Sequence, residues 1–184
     1  MKKLFLVVAA VVAASVSSAN AQVVWGVRVG ASIPSVSGDG GEDSYGLEIG
    51  PTLYYSLQNN LYINSGAMFN QKKFNWKDAF SSTWVEIPLY LGYAIPIGGV
   101  QTYAQVGPYF GLKLSESYTP LYDYDAIDKD IFSSFNAGLG IMYGINIKKF
   151  KIEAGYQYGL TNVLQMYDDD NKLNALFVGV SYVF

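Results

Sequence analysis

Apolar residues alternate with other residues in eight runs along the chain after residue 21, at 22–33, 45–57, 61–71, 83–95, 101–114, 132–146, 150–162 and 173–184. A period of two is typical of β-strands, whose successive side chains point to opposite faces of a sheet. No helical periodicity occurs between these runs, and none of them approaches the roughly 18 residues of a membrane-spanning helix. The pattern therefore predicts an all-β chain of eight strands.

The connections between the predicted strands alternate in length. The short ones lie at 58–60, 96–100 and 146–149, and the long polar ones lie at 34–43, 72–82, 115–130 and 163–171. Short turns at one end and long loops at the other are the plan of an outer-membrane barrel, whereas a soluble β-sandwich does not require this asymmetry. An even number of strands then leaves both termini at the short-turn end, which is the periplasmic end in such barrels.

The two faces of the predicted strands differ in chemistry. One face carries no charged residue, and in the last strand it consists of Leu176, Val178, Val180, Tyr182 and Phe184. The other face carries Gln, Asn and Tyr side chains together with the charged residues Arg28, Glu48, Glu86, Lys113 and Glu153. The apolar face could be the core of a sandwich or the lipid-facing surface of a barrel.

The glycines distinguish these two alternatives. Of the 19 glycines, those at 38, 40, 41, 98 and 99 fall in connections. All the others fall on the charged face of a predicted strand: Gly26, Gly30, Gly46, Gly50, Gly66, Gly92, Gly107, Gly111, Gly138, Gly140, Gly144, Gly155, Gly159 and Gly179. An eight-stranded barrel has an interior only just wide enough for side chains, so large inward groups need very small neighbours. We therefore predict an eight-stranded antiparallel up-and-down transmembrane β-barrel whose apolar face contacts lipid.

Aromatic residues on the apolar face gather at the short-turn end. They are Trp25, Tyr55, Tyr93, Tyr143, Tyr182 and Phe184. Amphipathic rings are favoured at the boundary between membrane and water, so we predict a membrane-interface belt there. Pro51, Pro88 and Pro108 lie inside predicted strands, where each removes a backbone donor, and we expect bulges or unpaired positions beside them.

The first 21 residues read as a secretory signal peptide. Lys2 and Lys3 precede an apolar segment, and the small residues Ala-Asn-Ala precede Gln22. We predict removal of 1–21 and a barrel domain at 22–184, with the net charge changing from −3 to −5. This acidity argues against a nucleic-acid partner. The absence of cysteine excludes disulfides.

The end of the chain resembles the C-terminal signal that the outer-membrane insertion machinery reads. The segment FVGVSYVF carries Gly179, Tyr182 and Phe184, but Phe177 stands where the usual pattern has a polar residue.

The segments VRVGASI (27–33), VEIPLYLGY (85–93) and AGYQYGLTNV (154–163) resemble the outer membrane protein β-barrel domain family, in its PorT-like group common in Bacteroidetes. This resemblance implies a bacterial outer-membrane barrel without a single set activity, and some relatives are linked to secretion or gliding.

The chain contains no histidine and no cysteine. The commonest general base and the strongest nucleophile are therefore missing, and the barrel enzymes acting on lipids or proteins that this fold resembles rely on histidine. We expect no enzymatic activity and no cofactor, although a Ser–Lys or paired-carboxylate site is the alternative. The inward charges are interpreted as an ion-pair network that fills the lumen, and an ion path is the alternative.

The predicted long loops are acidic. Their carboxylates include Asp39, Glu42 and Asp43, and the clustered residues Asp123, Asp125, Asp128, Asp130, Asp168, Asp169 and Asp170. Such a cluster can hold calcium, but the spacing does not fit an EF-hand, so ordinary solvated loops are favoured over a cation site and no metal is assigned. Lys72, Lys73 and Lys77 in the second long loop could meet lipopolysaccharide phosphates or the acidic loops.

The sequence thus predicts a small outer-membrane barrel with a filled lumen, acidic extracellular loops and a structural or interaction role. Its partners would be outer-membrane lipid, lipopolysaccharide and, during biogenesis, the insertion machinery. One alternative is a narrow porin-like channel for ions or small solutes. A second alternative is a secretion-associated component of the outer membrane, with an unknown partner.

Overall fold

The computed structural model describes residues 23–37, 44–76, 78–119, 133–163 and 171–184. Within these ranges the chain forms strands joined by turns, and no helix there is long and apolar enough to cross a bilayer. The strands are β1 (Val23–Val36), β2 (Tyr45–Ser56), β3 (Leu61–Gly66), β4 (Met68–Trp76), β5 (Asp78–Ile97), β6 (Val100–Thr119), β7 (Phe135–Ile147), β8 (Phe150–Gly159) and β9 (Leu173–Val183).

The strands form one antiparallel sheet that closes on itself. β1 pairs with both β2 and β9, β3 and β4 each pair with both β2 and β5, and from β5 to β9 each strand pairs with the next. The closing pair runs from Gly26 opposite Val183 to Val36 opposite Leu173. A closed sheet leaves no unpaired edge, which is the condition for a sheet to span a membrane. The predicted up-and-down barrel is confirmed.

The segments β3 and β4 are two parts of one barrel strand, interrupted at Ala67. Both lie between β2 and β5, and the register with β2 is the same before the break, at Gly66 opposite Thr52, and after it, at Phe69 opposite Ile49. The sheet therefore has eight strands around the barrel.

Prolines account for the break, as expected from the sequence. The register sets Pro51 of β2 and Pro88 of β5 on either side of the Gly66–Ala67 step, and neither proline has an N–H to donate to the ladder. Pairing between β5 and β6 likewise pauses between Pro88 and Leu91, where Pro108 lies on the partner strand. Ser65 faces outward here, and its hydroxyl donates to the Pro88 carbonyl at 2.8 Å.

Several strands extend beyond their predicted ends. The strand predicted to end at 71 continues through β4 to Trp76, β5 begins at Asp78, and β6 continues to Thr119. The prediction of a long loop at 72–82 was therefore wrong, and β8 ends at Gly159 rather than at 162. The added segments are rich in Ser, Asn and Lys and lack apolar alternation, but their backbones pair across the hairpin, as at Lys73 opposite Ser81.

The apolar face lies outside and the charged face lies inside, as predicted. Exposed outward residues include Val29, Leu47, Ile141 and Leu176, whereas Arg28, Glu48 and Glu86 on the other face are buried. This arrangement is the reverse of a soluble protein and fits an exterior solvated by lipid.

The inward glycines leave room for aromatic rings. A Cβ atom placed on Gly144 lies 2.5 Å from Cζ of Tyr103, and one placed on Gly140 lies 2.8 Å from Cζ of Tyr90. Real Cβ atoms do not approach so closely, so these positions exclude any larger residue unless a ring moves. The glycine pattern that favoured a barrel over a sandwich therefore has a direct packing cause.

Candidate functional site

A buried arginine connects three strands across the lumen. The Nε atom of Arg28 on β1 lies 2.9 Å from Oε1 of Glu48 on β2, and its Nη1 atom lies 3.2 Å from Oε1 of Glu153 on β8. The guanidinium also lies 5.0 Å from the ring centroid of Phe177 on β9. All of these side chains are buried. A planar guanidinium can bind two carboxylates and stack on a ring at the same time, so arginine suits this position better than lysine does.

A second buried ion pair lies beside the first. The Nζ atom of Lys72 on β4 lies 2.5 Å from Oε1 of Glu86 on β5. Asn70 links the two pairs, because its Nδ2 atom lies 3.5 Å from Oε2 of Glu48 and 3.3 Å from Oε2 of Glu86. The amide of Gln157 on β8 donates to Glu86 at 3.4 Å, so the network extends from β1 through β5 to β8.

Aromatic clusters lie above and below this network. Toward the long-loop end Trp84, Leu173, Phe74 and Val163 pack together. Tyr90, Tyr109, Met142 and Phe177 form a second cluster. At the short-turn end Tyr54, Tyr62 and Tyr103 pack against one another, with the rings of Tyr62 and Tyr103 6.2 Å apart and nearly perpendicular. Buried side chains thus occupy the described lumen on both sides of the network, except at a cavity of about 450 Å³ at the short-turn end.

Among the five charges predicted to lie in the lumen, Lys113 stands apart. Its Nζ atom lies 2.9 Å from Oε2 of Glu116, and the structure shows no ion pair between it and Glu48, Glu86 or Glu153. Side chains three apart on a regular strand point to opposite faces. Here the register shifts near Thr83 and Trp84, because Trp84 faces Lys113 whereas Thr83 faces Ser115. This bulge brings Lys113 and Glu116 to the same face.

Lys72 takes the place that the sequence assigned to Lys113. It was predicted to lie in a long loop, and that prediction was wrong because its strand continues past 71. On β4 it follows the inward series Met68 and Asn70, and only 1% of its side chain is exposed. Continuing the period of two beyond the apolar residues could have found it. Lys73 points outward, with its Nζ atom 5.6 Å from the ring centroid of Tyr45.

Sequence reasoning also missed Lys151. Its Nζ atom lies 4.1 Å from the ring centroid of Tyr54, 4.2 Å from that of Tyr103 and 5.2 Å from that of Tyr62. An ammonium over aromatic faces is stabilised by their quadrupoles. Arg28 and Lys72 leave the three buried carboxylates with one excess negative charge, and Lys151 adds the third cation at the short-turn end.

Two carboxylates of the network, those of Glu86 and Glu153, are each held by more than one donor. Glu153 accepts from Arg28 and from the hydroxyl of Tyr103, which lies 2.8 Å from its Oε2 atom. Satisfied carboxylates of this kind stabilise a fixed arrangement of strands, whereas removing one partner leaves a charge buried without compensation. Chemically, the network can hold the barrel closed across its centre.

The outward aromatic residues occur at both ends of the barrel. Trp25 and Tyr55 are half-buried, and Tyr93, Tyr143, Tyr182 and Phe184 are exposed, all on the outer face. At the opposite end Tyr45, Phe135 and Tyr158 are exposed as well. The sequence reading noted only the first set. Two aromatic girdles are typical of membrane barrels.

The loop carboxylates considered as a cation site all lie outside the described residues. They are Asp123, Asp125, Asp128, Asp130, Asp168, Asp169 and Asp170. Asp39, Glu42, Asp43 and Lys77 lie outside them too. In the ranges that are described, no group of three acidic, histidine or cysteine residues is placed to hold a metal ion.

The sequence matches a family model over most of its length. The matching model is that of the outer membrane protein β-barrel domain, and it covers residues 14–165. The chain belongs to this family. It is therefore a small β-barrel protein of the bacterial outer membrane. No curated protein matches the sequence.

Solved structures of outer-membrane barrels share the fold of this family member. Neisserial surface protein A is 17% identical, with a TM-score of 0.57 over 90% of this chain and 99% of that chain. The outer membrane enzyme PagL is 8% identical, with a TM-score of 0.55 over 85% of this chain and 98% of that chain. Ail of Yersinia pestis, in complex with the heparin analogue sucrose octasulfate, is 16% identical, with a TM-score of 0.50 over 88% and 97%. Since one of them is an enzyme, the fold itself is compatible with catalysis.

Proposed function

We propose that this protein is a sealed outer-membrane barrel with a structural or interaction role, and that it binds its partners through the long loops. The observation that carries the proposal is the link from Arg28 and Glu48 through Asn70 to Glu86 and Lys72. These groups come from β1, β2, β4 and β5, and each is almost fully buried. A solute would have to break buried ion pairs to pass, which costs several kcal/mol, roughly 3–5 for one pair.

The same proposal includes an orientation in the membrane. Both ends of the sheet, at Val23 and Val183, lie at the short-turn end, which is periplasmic in barrels of this kind. In this orientation the signal peptide at 1–21 is cleaved and both termini are periplasmic. The insertion signal consists of Gly179, Tyr182 and Phe184 at the C-terminal end. The aromatic girdles would meet the lipid interfaces, and Lys73 would meet lipopolysaccharide at the other side.

An enzymatic role is not part of the proposal, because the chain offers neither histidine nor cysteine for general-base or nucleophilic chemistry. The proposal includes the assignment to the PorT-like group. This assignment rests on the segment VEIPLYLGY at 85–93, in which Glu86 is the partner of Lys72. If that assignment holds, a secretion component would co-purify with the barrel from native membranes.

A narrow channel is the second candidate function. Two observations favour it: the central layer of the lumen is charged, and a cavity of about 450 Å³ opens at the short-turn end. A path from that cavity to the long-loop end would require rearrangement of the Lys72–Glu86 pair and of the packed clusters on both sides of it.

Single-channel conductance of the refolded protein in a planar bilayer tests the proposal. We expect an inserted wild-type barrel to be silent, and we expect Glu86→Gln and Arg28→Ala to give brief openings because they weaken the network. The matched control is Glu116→Gln, which removes a carboxylate paired with Lys113 outside the network. Insertion is checked by the change in gel migration on boiling.

A steady wild-type conductance that changes in Glu86→Gln and Arg28→Ala, but not in Glu116→Gln, would replace the sealed barrel with the channel. Silence of all four inserted proteins would keep the lumen sealed and would direct the search for function to the loops.

A further inference from the structure

The cavity at the short-turn end has a positively charged lining. Two lysines, Lys148 and Lys151, and three amide side chains, Asn60, Gln101 and Asn146, line it, and among the residues that the structure describes no aspartate or glutamate does. Its volume of about 450 Å³ lies within the range of small-molecule pockets. From the two lysines an anion gains charge-assisted hydrogen bonds, which are stronger than those that a neutral molecule would form.

Lys151 is fixed in place at the inner side of this cavity. Its ammonium lies within 4.2 Å of the ring centroids of Tyr54 and Tyr103. These rings stabilise the cation and restrict its side chain, which is only partly exposed. A preorganised ammonium loses less conformational entropy when a ligand binds than a freely moving surface lysine does.

None of the ion pairs found in the described ranges includes Lys151. The carboxylate of Glu153, two residues further into the barrel on the same face, already accepts from Arg28 and from Tyr103. Lys151 thus presents a positive charge to the cavity, with aromatic rings rather than a carboxylate as its immediate neighbours.

The remaining lining suits a short carbon chain. Apolar side chains of Val24, Leu61 and Val183 lie around the mouth, and Asn146 donates its amide to Oε1 of Gln101 at 2.9 Å, which leaves the NH₂ group of Gln101 as a donor. We propose that this cavity binds a small organic anion, a carboxylate or a phosphate ester, whose charged group contacts Lys151 and whose carbon chain packs on the tyrosine rings.

Calorimetric titration of the refolded barrel in detergent micelles tests this proposal with three probes. Succinate represents the carboxylates, inorganic phosphate represents the phosphates, and succinamide is the neutral analogue of succinate. The variant is Lys151→Gln. The matched control is Lys149→Gln, because Lys149 is at the same end and stacks on a tyrosine, Tyr182, at 5.8 Å, but on the outer face.

We expect saturable binding of at least one anion, weakened about tenfold or more in Lys151→Gln, as for loss of a hydrogen bond to a charged group. Lys149→Gln should bind as the wild type does, and succinamide should not bind. The anion that binds more tightly then identifies the ligand as a carboxylate or a phosphate. No saturable binding of either anion, equal binding of succinamide, or equal losses in both variants would overturn the proposal.

A second measurement covers the case in which Lys151→Gln does not fold. The wild-type barrel is treated with an amine-acylating reagent, with and without the anion, and the modified lysines are found by mass spectrometry. Protection of Lys151 by the anion, with Lys149 unprotected, supports the site. Unchanged acylation of Lys151 in the presence of either anion overturns it.

Discussion

Lys72 and Glu86 form an ion pair inside the barrel, with Nζ and Oε1 2.5 Å apart and side-chain exposures of 1% and 2%. The next residue, Lys73, faces outward over the ring of Tyr45. Two adjacent lysines on one strand therefore lie in opposite environments, because side chains alternate between the faces of a sheet. The pair also joins β4 to β5 just beyond the break at Ala67.

Lys72→Gln should destabilise the barrel by about 3–5 kcal/mol, because it leaves the carboxylate of Glu86 buried without its cation. Lys73→Gln should change the free energy of unfolding by less than about 1 kcal/mol, the value of an exposed cation–π contact. Urea titration of the lipid-inserted barrel, followed by tryptophan fluorescence, measures both. Adding Glu86→Gln to Lys72→Gln should recover much of the loss. Equal effects of the two lysine variants would contradict the buried position of Lys72.

Gly144→Ala should destabilise the barrel by about 1–3 kcal/mol, as overpacking does elsewhere. A Cβ at this position lies 2.5 Å from Oη of Tyr103 and 2.6 Å from the carbonyl oxygen of Ile152, and the Tyr103 hydroxyl is a donor to Glu153. The control is Gly111→Ala, another inward strand glycine.

At Gly111 the nearest atoms to a new Cβ, on Trp84, Glu86 and Asn136, lie 3.4–3.6 Å away. Gly111→Ala should therefore change the free energy of unfolding by less than about 1 kcal/mol. Denaturation midpoints of the two variants in the same lipid decide the matter. A loss at Gly111 as large as that at Gly144 would contradict ring packing as the cause of the loss at Gly144, because the entropic effect of Gly→Ala is itself stabilising.

Deleting Leu114 should leave the barrel folded and the Lys113–Glu116 pair intact. Leu114 is the extra residue of the bulge on β6, and its side chain is 52% exposed. Without it, Ser115 still faces Thr83, so the register on both sides is preserved. The folded fraction on an unboiled gel is the measurement.

Deleting Leu112 instead is the control. It moves Lys113 to the outer face, where a lysine in contact with lipid costs up to about 4 kcal/mol near the membrane centre and less near its surface. We expect this deletion to lower the folded fraction. Equal folding of the two deletions would argue against Leu114 as the extra residue of the bulge.

Phe184→Ala should slow insertion by purified barrel-insertion machinery several-fold, if the chain end acts as an insertion signal. The control is Phe150→Ala, because the rings of Phe150 and Phe184 both lie against Tyr182, at 5.2 and 5.4 Å. Each variant should lose about 0.5–1.5 kcal/mol of stability through the lost ring pair. A similar slowing in both variants would show that ring packing alone governs insertion.

The faces of the strands could be predicted because alternation is a local property. Once Arg28 and Val29 are known to be in a strand, their side chains must point in opposite directions, and a face without charged residues must contact either a protein core or lipid. The inward glycines such as Gly144 then favoured a barrel over a sandwich, because only a narrow lumen requires such small residues. The ends of the strands were less predictable, because backbone pairing continues through the polar residues of β4 that carry no apolar alternation.

By itself, the sequence determined the strand order, the lipid-facing surface and the choice of charges available to the interior. Only the tertiary structure decided which of them meet. Arg28 reaches Glu153 on β8, and three tyrosines surround Lys151, because the tilt and stagger of the strands set the height of each inward side chain. The bulge at Leu114 and the length of β4 changed which lysine joins Glu86, and neither depends on a pattern within one strand.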